Sequence, residues 1–156
     1  MFRINRKTDY AIRIMVCLAR RPFGTRLPTQ EIQTEMLIPR AFLQRIIADL
    51  SKNELIRTFP GPSGGLELAR SAESINLKHI WEAVEGPLLI SECLQAPGEC
   101  PLDAACPVRR RWCRLQALLV HELEATSLQQ LGFEANQANS IGEFHSVVDS
   151  MTLSVE

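Results

Sequence analysis

The stretch IPRAFLQRIIADLSKNELIRTFPGPSGGLELAR, residues 38–70, reads as a helix followed directly by a hairpin. Leu43, Ile46, Ile47 and Leu50 recur at i, i+3, i+4 and i+7, which predicts a helix from about Pro39 to Asn53 with one apolar face. Pro39 brings a fixed φ suited to a helix start. Arg40, Gln44 and Ala48 fall on another face with Arg45 beside them, so that surface is polar, cationic and small at one point. LIRTF, 55–59, is rich in branched and aromatic residues and predicts a strand; PGPSGG, 60–65, is a turn, and LEL, 66–68, returns as a second strand. Glycine in such a turn permits positive φ and close approach of backbone to a phosphate.

The residues before this stretch complete a motif. In NRKTDYAIRIMVCLARR, 5–21, Tyr10, Ile14, Cys17 and Leu18 share one face of a first helix, which Pro22 and Gly24 stop. Cys17 on that stripe reads as a core residue. Thr29 is expected to cap a short second helix, QEIQTEM, and Leu37-Ile38-Pro39 makes a tight connection. Two helices joined by a short turn, the second carrying the Arg/Gln face, suit a helix-turn-helix, and a hairpin directly after it is a wing. Two short helices alone are common, and a solvated charged face is the competing reading. Charge favours the first. Residues 1–60 carry eleven Lys/Arg against five Asp/Glu, a net +6, whereas 61–156 carry six against thirteen, a net −7. A basic first third can meet a phosphate backbone although the whole chain has a net charge of −1. Arginine bonds guanine edges and glutamine adenine edges, while other basic groups position the backbone. The candidate contacts to double-stranded DNA are Arg40, Ala41, Gln44 and Arg45 on the helix and Gly61, Ser63, Gly64 and Gly65 in the wing.

Beyond the wing, NLKHIWEAVE, 76–85, predicts an amphipathic helix with Asn76 as cap and Leu77, Ile80, Trp81 and Val84 on one face. Residues 107–131 predict the longest helix, striped by Trp112, Leu115, Leu119 and Leu123 and widened by Leu118 and Val120. A small winged domain has little room to bury such a helix. Packing within the chain is one solution, and a homodimer contact is the preferred one. Residues 132–156 lack strong periodicity and are expected to be loose, apart from a short turn around 141–148. His79 and His121 are expected on exposed helix faces, with His145 in the tail. None of the three has metal-like partner spacing. No hydrolase triad, phosphate loop or dinucleotide fingerprint is present, so an enzyme is not expected. Arg3, Arg6, Lys7, Asp9 and Arg13 interrupt the first twenty residues, so no secretory pattern is visible. No run reaches the roughly 18 apolar residues of a membrane span. The chain reads as cytoplasmic.

In such a compartment clustered cysteines more often bind metal or sense redox state than staple the fold. Four of the five lie in CLQAPGECPLDAACPVRRRWC, 93–113, with Pro97, Gly98, Pro101 and Pro107 resisting helix. An iron–sulfur cluster needs several thiolates converging from loop backbone, and Cys93, Cys100 and Cys106 satisfy that. Structural zinc sites usually show short C-x2–4-C knuckles, and this segment has none. Thiol redox chemistry without metal, and cysteines without a role, remain the alternatives.

RKTDYAIRIMVCLA, IPRAFLQRIIADLSKNELI, GPSGGLELAR and HIWEAVEG, together with Cys93, Cys100 and Cys106, resemble the Rrf-two family of winged-helix transcriptional regulators over roughly residues 1–131. The resemblance implies a homodimer on palindromic DNA. It also implies an iron–sulfur cluster on the cysteine triplet. By that analogy a two-iron (2Fe-2S) cluster is preferred, with a four-iron (4Fe-4S) cluster as the alternative. Some relatives supply a histidine three residues after the third cysteine; here Arg109 stands there and cannot ligate. Others use an acidic residue near the N-terminus, and Asp9 matches it; a helix cap is the competing reading of Asp9. The fourth ligand is thus expected to be Asp9, with Cys113 as the alternative. The resulting division is a winged helix-turn-helix domain, 1–86, a cluster-binding loop, 87–106, a dimerisation helix, 107–131, and a tail, 132–156. The rivals are a zinc-stabilised protein-interaction module and a cluster-free thiol redox regulator.

Overall fold

The computed structural model describes residues 4–96 and 98–141. Helix α1, Arg6–Ala19, is capped by Asn5, whose side chain accepts from Thr8 N at 3.0 Å. It buries Tyr10, Ala11, Ile14, Met15, Cys17 and Leu18, as the periodicity predicts. Helix α2, Thr29–Glu35, differs at its start: Pro28 holds the cap position with no side-chain bond, and Thr29 is the first helical residue. The reason is upstream. Leu27 is extended and exchanges two backbone hydrogen bonds with Leu66, 2.9 and 2.8 Å, so the chain enters α2 directly from a β-bridge. Helix α3, Arg40–Lys52, buries Leu43, Ile46, Ile47 and Leu50. Lys7 ties three helices together, pairing with Asp49 at 2.8 Å and donating to the Val84 carbonyl at 2.6 Å.

The wing is the antiparallel pair β1, Ile56–Phe59, and β2, Gly65–Leu68, with Ile56 opposite Leu68 and Phe59 opposite Gly65. Its tip turns at Gly61, φ +92°, and closes with a hydrogen bond from Gly64 N to Gly61 O, 2.9 Å. Arg26 lies over the Phe59 ring, 3.5 Å from its centroid, at the foot of the hairpin.

Helix α4, Leu77–Glu85, is capped by Asn76 as expected, and it buries Ile80 and Val84. His79 departs from its expected exposed position. It is half-buried and completes a capping box, its Nδ1 accepting from Asn76 N at 3.2 Å. Burial first, then the nearby Arg70 charge, hold the imidazole below its ordinary pKa. The neutral ring is the form that can accept this bond.

The helix expected over 107–131 is two helices, α5, Pro107–Ala125, and α6, Leu128–Ile141. Thr126 and Ser127 are drawn out of helical geometry by pairing with residues 75–77: Leu77 N bonds Thr126 O at 3.1 Å and Leu128 N bonds Ile75 O at 2.8 Å. Ser127 then caps α6, its Oγ accepting from Gln130 N at 3.1 Å. Leu128 is fully buried and Gly132 fits against Ala19 of α1. Residues 132–141 are therefore helical, and α6 from Leu128 docks on α1, contrary to the loose tail expected from 132 onward. The turn expected near 141–148 and His145 fall outside the described residues, apart from the end of α6. Among the described residues, helix α5 buries none of its side chains. Among the described residues no helix is long and apolar enough to cross a membrane.

Candidate nucleic-acid interface and cysteine loop

With Leu43, Ile46, Ile47 and Leu50 turned inward, α3 presents Arg40, Ala41, Gln44 and Arg45 to solvent, and Ala48 with them. Among the described residues neither Arg40 nor Arg45 has a carboxylate partner, whereas Arg13, Arg20 and Arg21 are ion-paired. The unpaired guanidinium groups are free to meet an outside anion. In the wing, Gly61 and Ser63 are exposed at the tip, Gly64 is half-buried and Gly65 is buried against Leu27. Gly65 therefore shapes the hairpin, and Gly61 and Ser63 form its accessible edge. The Arg40→Ala/Gln44→Ala variant is expected to lose about 1–3 kcal/mol of operator affinity for each base-reading side chain removed. Titration of a selected operator at matched salt measures this. Unchanged affinity would remove both residues from the interface.

The cysteine loop runs between α4 and α5 through two short turns, Glu92–Leu94 and Asp103–Ala105. Cys93 and Cys106 are half-buried, while Cys100 and Cys113 are exposed. The Cys93 thiol lies 3.2 Å from Ser91 Oγ. Cys106 is the N-cap of α5, its sulfur accepting from Arg109 N at 3.4 Å. The structure does not bring Cys93, Cys100, Cys106 and Asp9 together. Among the described residues no three His, Cys, Asp or Glu side chains converge to hold a metal ion. Asp9 is ion-paired with Arg13 at 2.8 Å, and the cap of α1 is Asn5, so capping does not account for Asp9. Helix α5 begins at Pro107, which puts Cys113 seven residues, or roughly 10 Å, along the helix from Cys106. That separation tells against Cys113 as a partner of Cys106.

Cys17 is buried and apart from this loop. Its thiol pKa is pushed up to about 11, by burial first and then by the Glu35 charge. At neutral pH it stays protonated, as a core residue. The Glu35 carboxylate, which Arg21 holds below its ordinary pKa, receives the Cys17 thiol at 3.6 Å. The contacts that organise the loop leave no periodic signal in the sequence. Asp103 and Arg109 form an ion pair at 2.6 Å, and Arg109 Nε–H donates to the Cys93 carbonyl at 3.3 Å. An acid and a base six residues apart across a proline give no periodic signal.

Helix α5 exposes Val108, Trp112, Leu115 and Leu118. Ile90, Trp112, Leu115 and Leu119 line an apolar groove on its surface.

The family model of Rrf2, described as an iron-dependent transcriptional regulator, matches residues 4–133. The chain is 33% identical to an HTH-type transcriptional regulator of Mycobacterium tuberculosis over 129 residues, 81% of this chain and 78% of that one. It is 31% identical to the HTH-type transcriptional regulator NsrR of Shouchella clausii, across 80% of this chain and 78% of that protein. Its fold is similar to that of CymR, the global cysteine regulator of B. subtilis. There the TM-score is 0.71 at 24% identity, covering 86% of this chain and 98% of that one. It is similar also to T. potens IscR, TM-score 0.70 at 22% identity, covering 88% and 90%.

Proposed function

Since the chain belongs to the Rrf2 family of DNA-binding transcriptional regulators, we propose that it is a homodimeric repressor whose operator binding is set by an iron–sulfur cluster on Cys93, Cys100 and Cys106. The observation that carries this reading is one juxtaposition. A loop with three cysteines sits between the winged domain and an α5 helix whose apolar side is exposed among the described residues. In a dimer built on α5, two copies of α3 would read half-sites about one helical turn apart. A change at the loop would then bias the spacing of the two α3 helices. A coupling of roughly 1–3 kcal/mol between loop and operator is enough for a useful switch.

The donor set fits the group in chemistry. Three thiolates suit iron and sulfide, and Asp9 would add a harder oxygen donor as fourth ligand. The cluster, when bound, supplies a centre whose iron occupancy and charge change with iron supply, oxidants or nitric oxide. The chain's own residues do the rest: α5 fixes Cys106 at its N-terminus, and the turn at 92–94 fixes Cys93. Cys100, exposed, is the ligand whose side chain meets the fewest packed neighbours. The wing tip, Gly61 and Ser63, adds backbone or minor-groove contacts to those of α3.

Absorption spectra of anaerobically purified protein, paired with operator titration before and after iron removal, test the reading. A coloured protein whose operator affinity changes on iron removal is the expected result. A colourless protein whose affinity responds to a thiol oxidant instead would favour cluster-free thiol control, which the exposed Cys100 and Cys113 also allow.

Dimerisation has its own test. Leaving an apolar stripe in water costs about 25 cal/mol per Å², so sedimentation at micromolar concentration should give a dimer. Leu115→Glu should shift it towards monomer. A native monomer would show that α5 is satisfied within one chain.

A further inference from the structure

The cysteine loop is held by one pair of side chains. Asp103 is only 13% exposed in its side chain, and Arg109 25%. Asp103 Oδ2 accepts from Gly98 N at 2.6 Å, and Oδ1 lies 2.6 Å from Arg109 Nε. That Nε–H is itself aimed at the Cys93 carbonyl, so Oδ1 is held by charge and receives no hydrogen bond. Arg109 N, on the same residue, donates to the Cys106 sulfur. Two side chains thus join the Cys93 turn, the Gly98 bend, the Asp103–Ala105 turn and the start of α5. The Cys100 carbonyl accepts from Asp103 N at 3.0 Å, but its side chain takes no part in this network and is exposed.

We propose that Asp103 and Arg109 are positioning residues that form a metal-independent clasp, holding the turns that carry Cys93 and Cys106 in the empty loop and leaving the exposed Cys100 side chain free to move. The inference rests on the cluster reading above, and it adds a consequence of its own. A regulator that gains and loses its cluster needs a loop that does not unravel when empty. Both oxygens of Asp103 are engaged within the protein, so the carboxylate acts on the backbone and the Arg109 guanidinium rather than on iron.

The test uses full-length, reduced, iron-free protein. Iodoacetamide labelling, followed residue by residue by mass spectrometry, should find Cys93 and Cys106 slower than Cys100 and Cys113. Asp103→Asn and Arg109→Gln should speed labelling at Cys93 and Cys106 by about tenfold, the factor that loss of one charged hydrogen bond sets on local opening. Cys100 and Cys113 should not change. Arg109→Lys keeps the charge but not the guanidinium fork, and should be intermediate. On anaerobic reconstitution Asp103→Asn should load slowly yet reach the wild-type visible spectrum. Unchanged labelling at Cys93 and Cys106 in both variants would overturn the clasp. So would an altered final spectrum in Asp103→Asn, which would make Asp103 a ligand. If wild-type protein takes up no cluster, the proposed function fails, and the labelling still decides the clasp.

Discussion

Replacing Gly65 with alanine should dismantle the wing. A Cβ on Gly65 would lie 2.2 Å from Leu27 O and 2.6 Å from Leu27 C, both backbone atoms. Neither can step aside cheaply, because Leu27 O is the acceptor for Leu66 N in the bridge that joins the hairpin to the entry of α2. Gly65 also has φ +151°, a conformation that an L side chain rarely adopts. Strain of about 1–3 kcal/mol and overpacking of similar size should together cost on the order of 3–5 kcal/mol. Breaking the bridge is the relaxation open to the chain, and it would release β2, Leu66 and the start of α2 together. Urea unfolding of Gly65→Ala against wild type measures the loss, and operator affinity should fall with it. Gly61→Ala is the control on the same hairpin. Its φ is +92°, but nothing lies within 4 Å of the added carbon, so only the conformational cost of about 1–2 kcal/mol applies. Equal stabilities for Gly65→Ala and Gly61→Ala would show that the Leu27–Leu66 bridge does not fix the wing.

The winged half of the fold was legible because its signals are local. Period-3.6 stripes in α1 and α3, the Pro/Gly turn at 60–65 and the Asn76 cap each lie within one element, and each matches the structure. What failed was non-local. Thr29 lost its cap role because Leu27 pairs with Leu66, nearly forty positions away in the sequence. The expected long helix was broken by pairing of 126–128 with 75–77. One local trace of that break existed. Ser127 followed by Gln130 is a helix-start pattern, and it lies inside the 107–131 span read as one continuous helix. At the site, the sequence supplied the exposed face of α3 and the cysteine loop. It could not supply the Asp103–Arg109 clasp, since irregular backbone carries no period from which contacts can be inferred.

On the proposed cluster reading, alanine at Cys100 should abolish the cluster outright, and so should alanine at Cys93 or Cys106. Each removes one of three soft donors from a site that has no spare thiolate nearby: Cys113 is displaced along α5, and Cys17 is buried and protonated. Two thiolates and a carboxylate hold iron and sulfide far less well than three thiolates do, so iron and sulfide should fall towards zero after anaerobic reconstitution. The fourth position should respond differently. A carboxylate is a harder and weaker partner for this iron chemistry than a thiolate. Asp9→Ala should therefore leave iron bound but shift the visible spectrum and speed cluster loss. Asp9 has a partner in Arg13 at 2.8 Å, and in the proposed cluster-bearing protein a cluster would have to compete with that ion pair. Arg13→Gln should then shift the spectrum in no way that Asp9→Ala does, and should favour loading by releasing Asp9. Cys113→Ala should match wild type. Loss of iron in Cys113→Ala with an unchanged Asp9→Ala would transfer the fourth ligand to α5, and would require the first turns of that helix to unwind. Full iron and sulfide in Cys100→Ala would remove the cysteine loop from cluster binding altogether. The exposed Cys100 would then read as the reactive group of a thiol regulator on the same winged frame.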